Sequence, residues 1–217
     1  MSSISKRAAF TLIELLVVIS IILIATSILF VGGGGGGDGV KLSSAQRVVS
    51  SMAQGVRGQA LLKAQRARLI IYSESNTEEP DKMLRFFGII YEDPDIENQW
   101  LAATQGTSLP EGIYFDPDLS EDNNWQGLTM NLEYPRQSSQ PENGPQYYYY
   151  EFNPNGTMAS GFENSWMVLR AGTLKPDGSG ELAVSFDEEA KANLKSALIF
   201  RRVGSTTLVT DPDEINP

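Results

Sequence analysis

Residues 10–31 read FTLIELLVVISIILIATSILFV, an apolar run of 22 residues that holds a single ionisable side chain, Glu14. At ~1.5 Å rise per residue, a helix of that length reaches about 33 Å, enough to cross the hydrocarbon core of a bilayer. Glu14 has no place in an ordinary anchor. An ionised side chain in hydrocarbon costs about 2.5–3.5 kcal/mol on insertion scales, so this one asks for a partner of opposite charge. A conventional secretory signal with a small-residue exit at 25–27 is the competing reading, but Glu14 falls inside what would be its apolar region. Lys6 and Arg7 precede the run. The positive-inside rule keeps them cytoplasmic and puts everything after Val31 on the far side of the inner membrane.

Ala8 and Ala9 stand between those cations and the run, and the string KRAAFTLIELL resembles the leader junction of type IV prepilins and type II secretion pseudopilins. The resemblance implies a leader of residues 1–9, cut by a prepilin peptidase between Ala9 and Phe10, and N-methylation of Phe10. It makes Glu14 the fifth residue of the mature chain, facing the terminal amine of a neighbouring subunit. Two opposite charges meeting inside the membrane offset a desolvation cost that neither could bear alone. The family usually has glycine before the cut; Ala9 keeps that position small.

The chain has 217 residues, no cysteine and no histidine. Disulfides, Ser-His-Asp and Cys-His nucleophiles and the usual zinc ligand sets are thereby removed, and no cofactor is expected. Net charge is −10, unevenly spread. Residues 41–71 hold six cations (Lys41, Arg47, Arg57, Lys63, Arg66 and Arg68) and no acid. The expected use of these cations is docking against acidic neighbours, in the same domain or in an assembly, rather than binding nucleic acid.

Six consecutive glycines open the stretch 32–39, GGGGGGDG, and each costs ~1 kcal/mol relative to alanine in a helix, so a break or hinge is expected there. Helical periodicity resumes at Ser43, with Ser43 or Ser44 as cap. Val49, Met52, Ala53, Val56, Ala60, Ala64 and Ala67 then form one apolar stripe that should face a sheet, with Gly55 and Gly58 permitting close approach. Short apolar or alternating runs follow at 68–72, 83–91, 100–103, 112–115, 147–152, 165–170, 181–186 and 197–203. The turn sequence PDGSG (176–180) reads as a hairpin, and 187–195 as a short helix. One helix followed by many strands predicts an α+β domain over 40–217, an amphipathic helix laid on an antiparallel sheet. The close ALLKAQRARLIIY, and EFNPNGTM with its F-x-P-x-G turn, are similar to the H-type minor pseudopilins and related fimbrial minor pilins.

Two further stretches carry possible chemistry. Residues 116–124, DPDLSEDNN, gather Asp116, Asp118, Glu121 and Asp122, oxygen ligands of the kind calcium takes. They lack the glycine and twelfth-position glutamate of an EF-hand, and a solvated acidic loop is the simpler reading, as it is for the tail DPDEINP. In a strand, Tyr147 and Tyr149 would share one face and Tyr148 and Tyr150 the other, with at least one pair in the core. An exposed pair could contact a neighbouring subunit, but strand propensity explains the run, and core and sheet packing is the preferred reading. Long loops at 76–82 and 116–146 are where partner specificity would sit. The whole predicts a non-enzymatic, single-pass, inner-membrane pilin-like subunit of a type II secretion pseudopilus or type IV pilus. Its partners would be the prepilin peptidase and other pilin or pseudopilin subunits, and its globular domain periplasmic or extracellular. An adhesin or ligand-binding surface protein displayed on a pilin anchor is the alternative.

Overall fold

A computed structural model describes residues 12–75, 79–120, 125, 127–135, 144–176, 178 and 181–211, with side chains from residue 37 onward. The chain divides into two compact units, Met1–Gly37 and Asp38–Pro217. In the first, the backbone is helical from Leu12 as part of α1 (Leu12–Lys63). The side chains of the apolar run 10–31 lie outside the described residues. Among the described residues no helix is long and apolar enough to cross a membrane.

Residues 32–39, where a break or hinge is expected, have helical backbone within α1. Glycine can adopt helical angles, and a helix already formed on both sides needs no new nucleus, so each glycine costs only its propensity. Ser43 accordingly does not cap. Its hydroxyl donates to the Gly39 carbonyl at 3.0 Å, one turn back.

Twelve strands follow among the described residues: β1 (Ala67–Tyr72), β2 (Phe86–Glu92), β3 (Trp100–Ala102), β4 (Thr107–Ser108), β5 (Ile113–Asp116), β6 (Thr129–Asn131), β7 (Gln146–Phe152), β8 (Trp166–Ala171), β9 (Thr173–Pro176), β10 (Leu182–Ser185), β11 (Lys195–Phe200) and β12 (Thr206–Val209). A four-residue helix, α2 (Pro117–Ser120), follows β5. The first sheet runs β3-β2-β1-β7-β6, with β4 also on β2; a second runs β12-β11-β8-β5; β9 and β10 form the hairpin expected around PDGSG. Every pairing is antiparallel. The domain is α+β, as its periodicity predicts.

The second half of α1 presents Leu42, Ala45, Val49, Ala53, Val56 and Ala60 to the core, all buried. These side chains are small, so the helix lies close to the sheet; a Cβ on Gly55 would stand 3.1 Å from Ile89 Cδ1. Gly58 has open space where its Cβ would be, and Ala64 is exposed at φ 52, so neither belongs to the packed stripe. Ala64 marks where a left-handed residue ends the helix before β1. Polar bonds add to the seam. Gln46 Nε2 donates to the carbonyls of Ala197 (2.8 Å) and Val209 (3.0 Å), and the Ser50 and Thr206 hydroxyls are 2.8 Å apart.

Beneath the helix lies the main core, with Leu69, Ile71, Phe87, Ile89, Tyr150 and Phe152 from the first sheet and Phe115, Leu169, Leu198 and Phe200 from the second. Trp125 stacks on Tyr150 with ring centroids 5.2 Å apart and planes 7° from parallel. The opposite face of the first sheet carries its own buried group, Ile70, Tyr72, Ile90, Trp100, Leu132 and Tyr147. Neither tyrosine pair is therefore free for a neighbour. Tyr150 is buried and Tyr148 half-buried against Trp125 in the main core, while Tyr147 is buried and Tyr149 half-buried on the outer face, which Met130, Leu132 and Tyr134 cover.

Candidate functional site

Phe10 and Ala9 lie outside the described residues, and of Glu14 only the helical backbone is described. The leader junction is thus a proposal carried by sequence. Calcium ligation at 116–124 loses one of its oxygens to the fold. Asp116 is buried rather than solvated: Oδ1 accepts the Leu119 N–H at 3.0 Å, its carbonyl accepts the Ser120 hydroxyl, and Oδ2 is 3.4 Å from Arg170 Nη1. Asp118 is exposed, and Glu121 and Asp122 lie outside the described residues. Among the described residues no group of three or more acidic side chains is placed to hold a metal ion.

Three of the six cations at 41–71 dock on acids within the unit: Lys41 on Asp38, one helical turn back at 3.3 Å, and Arg66 and Arg68 on more distant partners. Arg66, just before β1, and Arg68, within it, alternate with apolar residues and so point to the outer face of the sheet. Arg66 forms a forked pair with Glu92 at the end of β2, its Nε donating to Oε2 at 2.8 Å and Nη2 to Oε1. Arg68 Nε and Nη2 both lie 2.6 Å from Glu151 Oε2 on β7, and Arg66 Nη1 reaches the other oxygen of Glu151 at 3.6 Å. The Arg68 guanidinium is sandwiched between the rings of Trp100 and Tyr149, 3.9 Å from each centroid. Such a desolvated cation–π contact contributes up to ~2 kcal/mol.

The electrostatics follow from these contacts. The hydrogen bond from Arg66 holds the Glu92 carboxyl below the usual carboxylate range, and the Asn98 N–H adds to it at 2.9 Å, while burial opposes both. The Arg66 guanidinium is raised in return, chiefly by its bond to Glu92. Farther along the same face, burial pushes up the hydroxyls of Tyr147 and Tyr134. The ring of Tyr134 lies on Gly88, where a Cβ would come within 2.6 Å, and its hydroxyl donates to the Thr104 carbonyl at 2.6 Å. Sequence reading placed cations in this region without finding their partners. The available signal was Arg66 and Arg68 at strand spacing ahead of an apolar run, with Glu92 and Glu151 at the ends of two others.

The F-x-P-x-G turn closes at one end of the same sheet. Gly156 sits at φ 76, its N–H donates to Asn153 O at 2.8 Å, and Asn153 Nδ2 bonds the Thr157 hydroxyl (3.1 Å) and the Met158 carbonyl (3.0 Å). A Cβ at Gly156 would meet Leu61 Cγ at 3.0 Å and Arg57 Cγ at 3.2 Å, so glycine is required both by its conformation and by the approach of α1.

Among curated proteins, no sequence matches. Two solved structures of the minor pseudopilin EpsH from the type II secretion system of Vibrio cholerae are similar at a distance. One shares 10% identity over 78% of this chain and 96% of that one, with a TM-score of 0.39. The other shares 12% over 79% and 94%, with the same TM-score. Residues 4–30, which include Ala9, Phe10 and Glu14, match the family model described as the prokaryotic N-terminal methylation motif.

Proposed function

We propose that this chain is a non-enzymatic, membrane-anchored pilin-like subunit of a type II secretion pseudopilus or type IV pilus, of the H-type minor class. The observation that carries the reading is the methylation motif over residues 4–30, with Glu14 five residues into the chain that would begin at Phe10. Prepilin peptidase would remove 1–9 and methylate Phe10. The apolar segment 10–31 would anchor the chain in the inner membrane, with the domain from residue 40 onward periplasmic or extracellular. Glu14 would meet the cationic terminal amine of a neighbouring subunit, a pairing that removes the charge penalty only when two chains associate.

Mass measurement of the chain recovered from membranes tests this reading. With prepilin peptidase present, the mature mass should correspond to a start at Phe10 carrying one added methyl group. A start at Ile28 would support a conventional signal, and an intact Met1 a plain anchor. In the same cells, Glu14→Ala should leave insertion intact and reduce incorporation into the filament, since the burial cost of the charge vanishes along with its pairing. Parent-like assembly of that variant would remove the pairing role.

A further inference from the structure

At one end of the globular unit three segments pack into a single cluster. The turn between β11 and β12 closes through Gly204 N–H to Arg201 O (2.7 Å) and Arg201 N–H to Ser205 O (2.8 Å). It joins the F-x-P-x-G turn through Met158 N–H to Arg202 O at 3.0 Å, and a Cβ at Gly204 would strike the Gly156 carbonyl. That turn in turn rests on Leu61 and Arg57 of α1. The cluster holds an unusual surface in place for an acidic chain. Leu62 is 76% exposed, Val203 60% and Leu61 52%, and Arg201 and Arg202 stand exposed beside them. Among the described residues Arg201 Nε bonds the Thr207 hydroxyl at 3.0 Å, and Arg202 Nε lies 3.3 Å from Glu163 while its side chain remains 80% exposed. Exposed ion pairs of that kind contribute little, so these guanidinium groups are available.

The complementary surface is on the same chain. Between β2 and β3 the loop is fixed by Asp93 N–H to Gln99 O (2.8 Å), by the Asp95 N–H on Asp93 Oδ1 (2.9 Å), and by Asn98 on Glu92 and Arg66. It presents Ile96, 41% exposed, between the exposed carboxylates of Asp95 and Glu97. An aliphatic residue flanked by acids thus answers aliphatic residues flanked by arginines. The loop leaves the sheet at β2 and the F-x-P-x-G turn leaves it at β7, on either side of β1. At ~4.8 Å per strand they are about 10 Å apart or more, with the arginine turn beyond.

We propose that Val203, Leu62 and the arginines 201 and 202 of one copy dock on Ile96, Asp95 and Glu97 of a second copy. Every copy offers one of each patch, so the contact can be made reciprocally within a pair or pass from one copy to the next. Matched charge around an apolar centre sets register and excludes the like-charged alternatives. The large aliphatic exposure favours a protein occupant over a polyanion such as nucleic acid, whose interfaces are more polar. The contact rests on the reading of the chain as an assembling membrane subunit, which would supply the common orientation.

The absence of native cysteine makes the test direct. Full-length chains carrying Val203→Cys and Ile96→Cys, with different tags, are co-expressed with prepilin peptidase and oxidised in their membranes. A covalent dimer containing both tags is expected, well above the dimer formed by either variant alone. Arg201→Glu with Arg202→Glu should lower its yield about tenfold, and adding Asp95→Arg with Glu97→Arg on the other copy should restore it. Raising the salt from 50 to 500 mM should weaken it. Crosslinking that ignores charge reversal, like-with-like dimers in equal yield, or crosslinks to a different protein with none between copies would each overturn the proposal. The mass of the N-terminus is read on the same samples. A mature chain without the mixed dimer overturns this contact alone, and an unprocessed chain that still forms it overturns the processing alone.

Discussion

The two faces of the first sheet are buried by different means. On the inner face, Leu69, Ile71, Phe87, Ile89, Tyr150 and Phe152 meet a helix stripe of apolar residues from Leu42 to Ala60. On the outer face, Ile70, Ile90, Trp100 and Tyr147 share the surface with Arg66, Arg68, Glu92 and Glu151, and the cover is a loop held by Leu132 and Tyr134. One side is closed by area, the other by pairing. Removing area should be costly wherever it is done, whereas removing one charge should be costly mainly because its partner is left behind.

The largest effect should come from Tyr150→Ala on the inner face. The ring stacks on Trp125, lies 4.6 Å from Phe200, and its hydroxyl donates to the Trp166 carbonyl at 2.8 Å. A loss of about 3–5 kcal/mol in chemical unfolding is expected, the range for deleting a buried aromatic ring. A loss under 1 kcal/mol would mean that residues around 125 refill the space.

Arg68→Met should cost less, about 1–3 kcal/mol, since methionine keeps a stem between Trp100 and Tyr149 and leaves Glu151 with Arg66 alone. The second step sharpens the contrast. Adding Glu151→Gln should recover much of that loss, because the stranded charge, rather than lost contact, is the main penalty. Additive losses in the double variant would make the outer face no different in kind from the inner one.

The smallest effects are those of pH, and they belong to the outer face at both ends of the scale. Glu92 is held below the ordinary glutamate range by Arg66, so its stabilisation is present above ~4.3 and is lost as pH falls through its lower folded value. Tyr147 is raised by burial, so its neutral form is favoured by folding; that stability is present below ~10 and fades as pH climbs past it. Denaturation midpoints against pH should flatten on the acid limb in Glu92→Gln and on the alkaline limb in Tyr147→Phe. Unchanged limbs would place the titrating groups elsewhere.

Legibility in the sequence followed how strongly each residue type is committed. The α1 stripe and the long strands β1, β2 and β7 were readable because apolar spacing at 3.6 or 2 has few other causes. The threonine-led strands β4, β6, β9 and β12 carry no such pattern, and they exist because neighbours offer open edges. Val203 was expected to extend β11, yet the chain turns after Phe200 at Arg201–Gly204, since the apolar character of Val203 does not distinguish strand from exposed turn. The partners of Arg66 and Arg68 lie 26 and 83 residues away, a separation no local pattern records.

The seam between α1 and the domain also has a mechanical meaning. Buried contacts from Leu42 to Ala60 run parallel to the helix axis, and Gln46 and Ser50 cross-brace them to β11 and β12. A pull along that axis loads the whole seam in shear, so its contacts must yield together, whereas a pull across the axis would open them one at a time from an end. Resistance to force is then governed by an unfolding rate that depends on direction. The globular unit is thus built to be strongest against traction applied through its own helix.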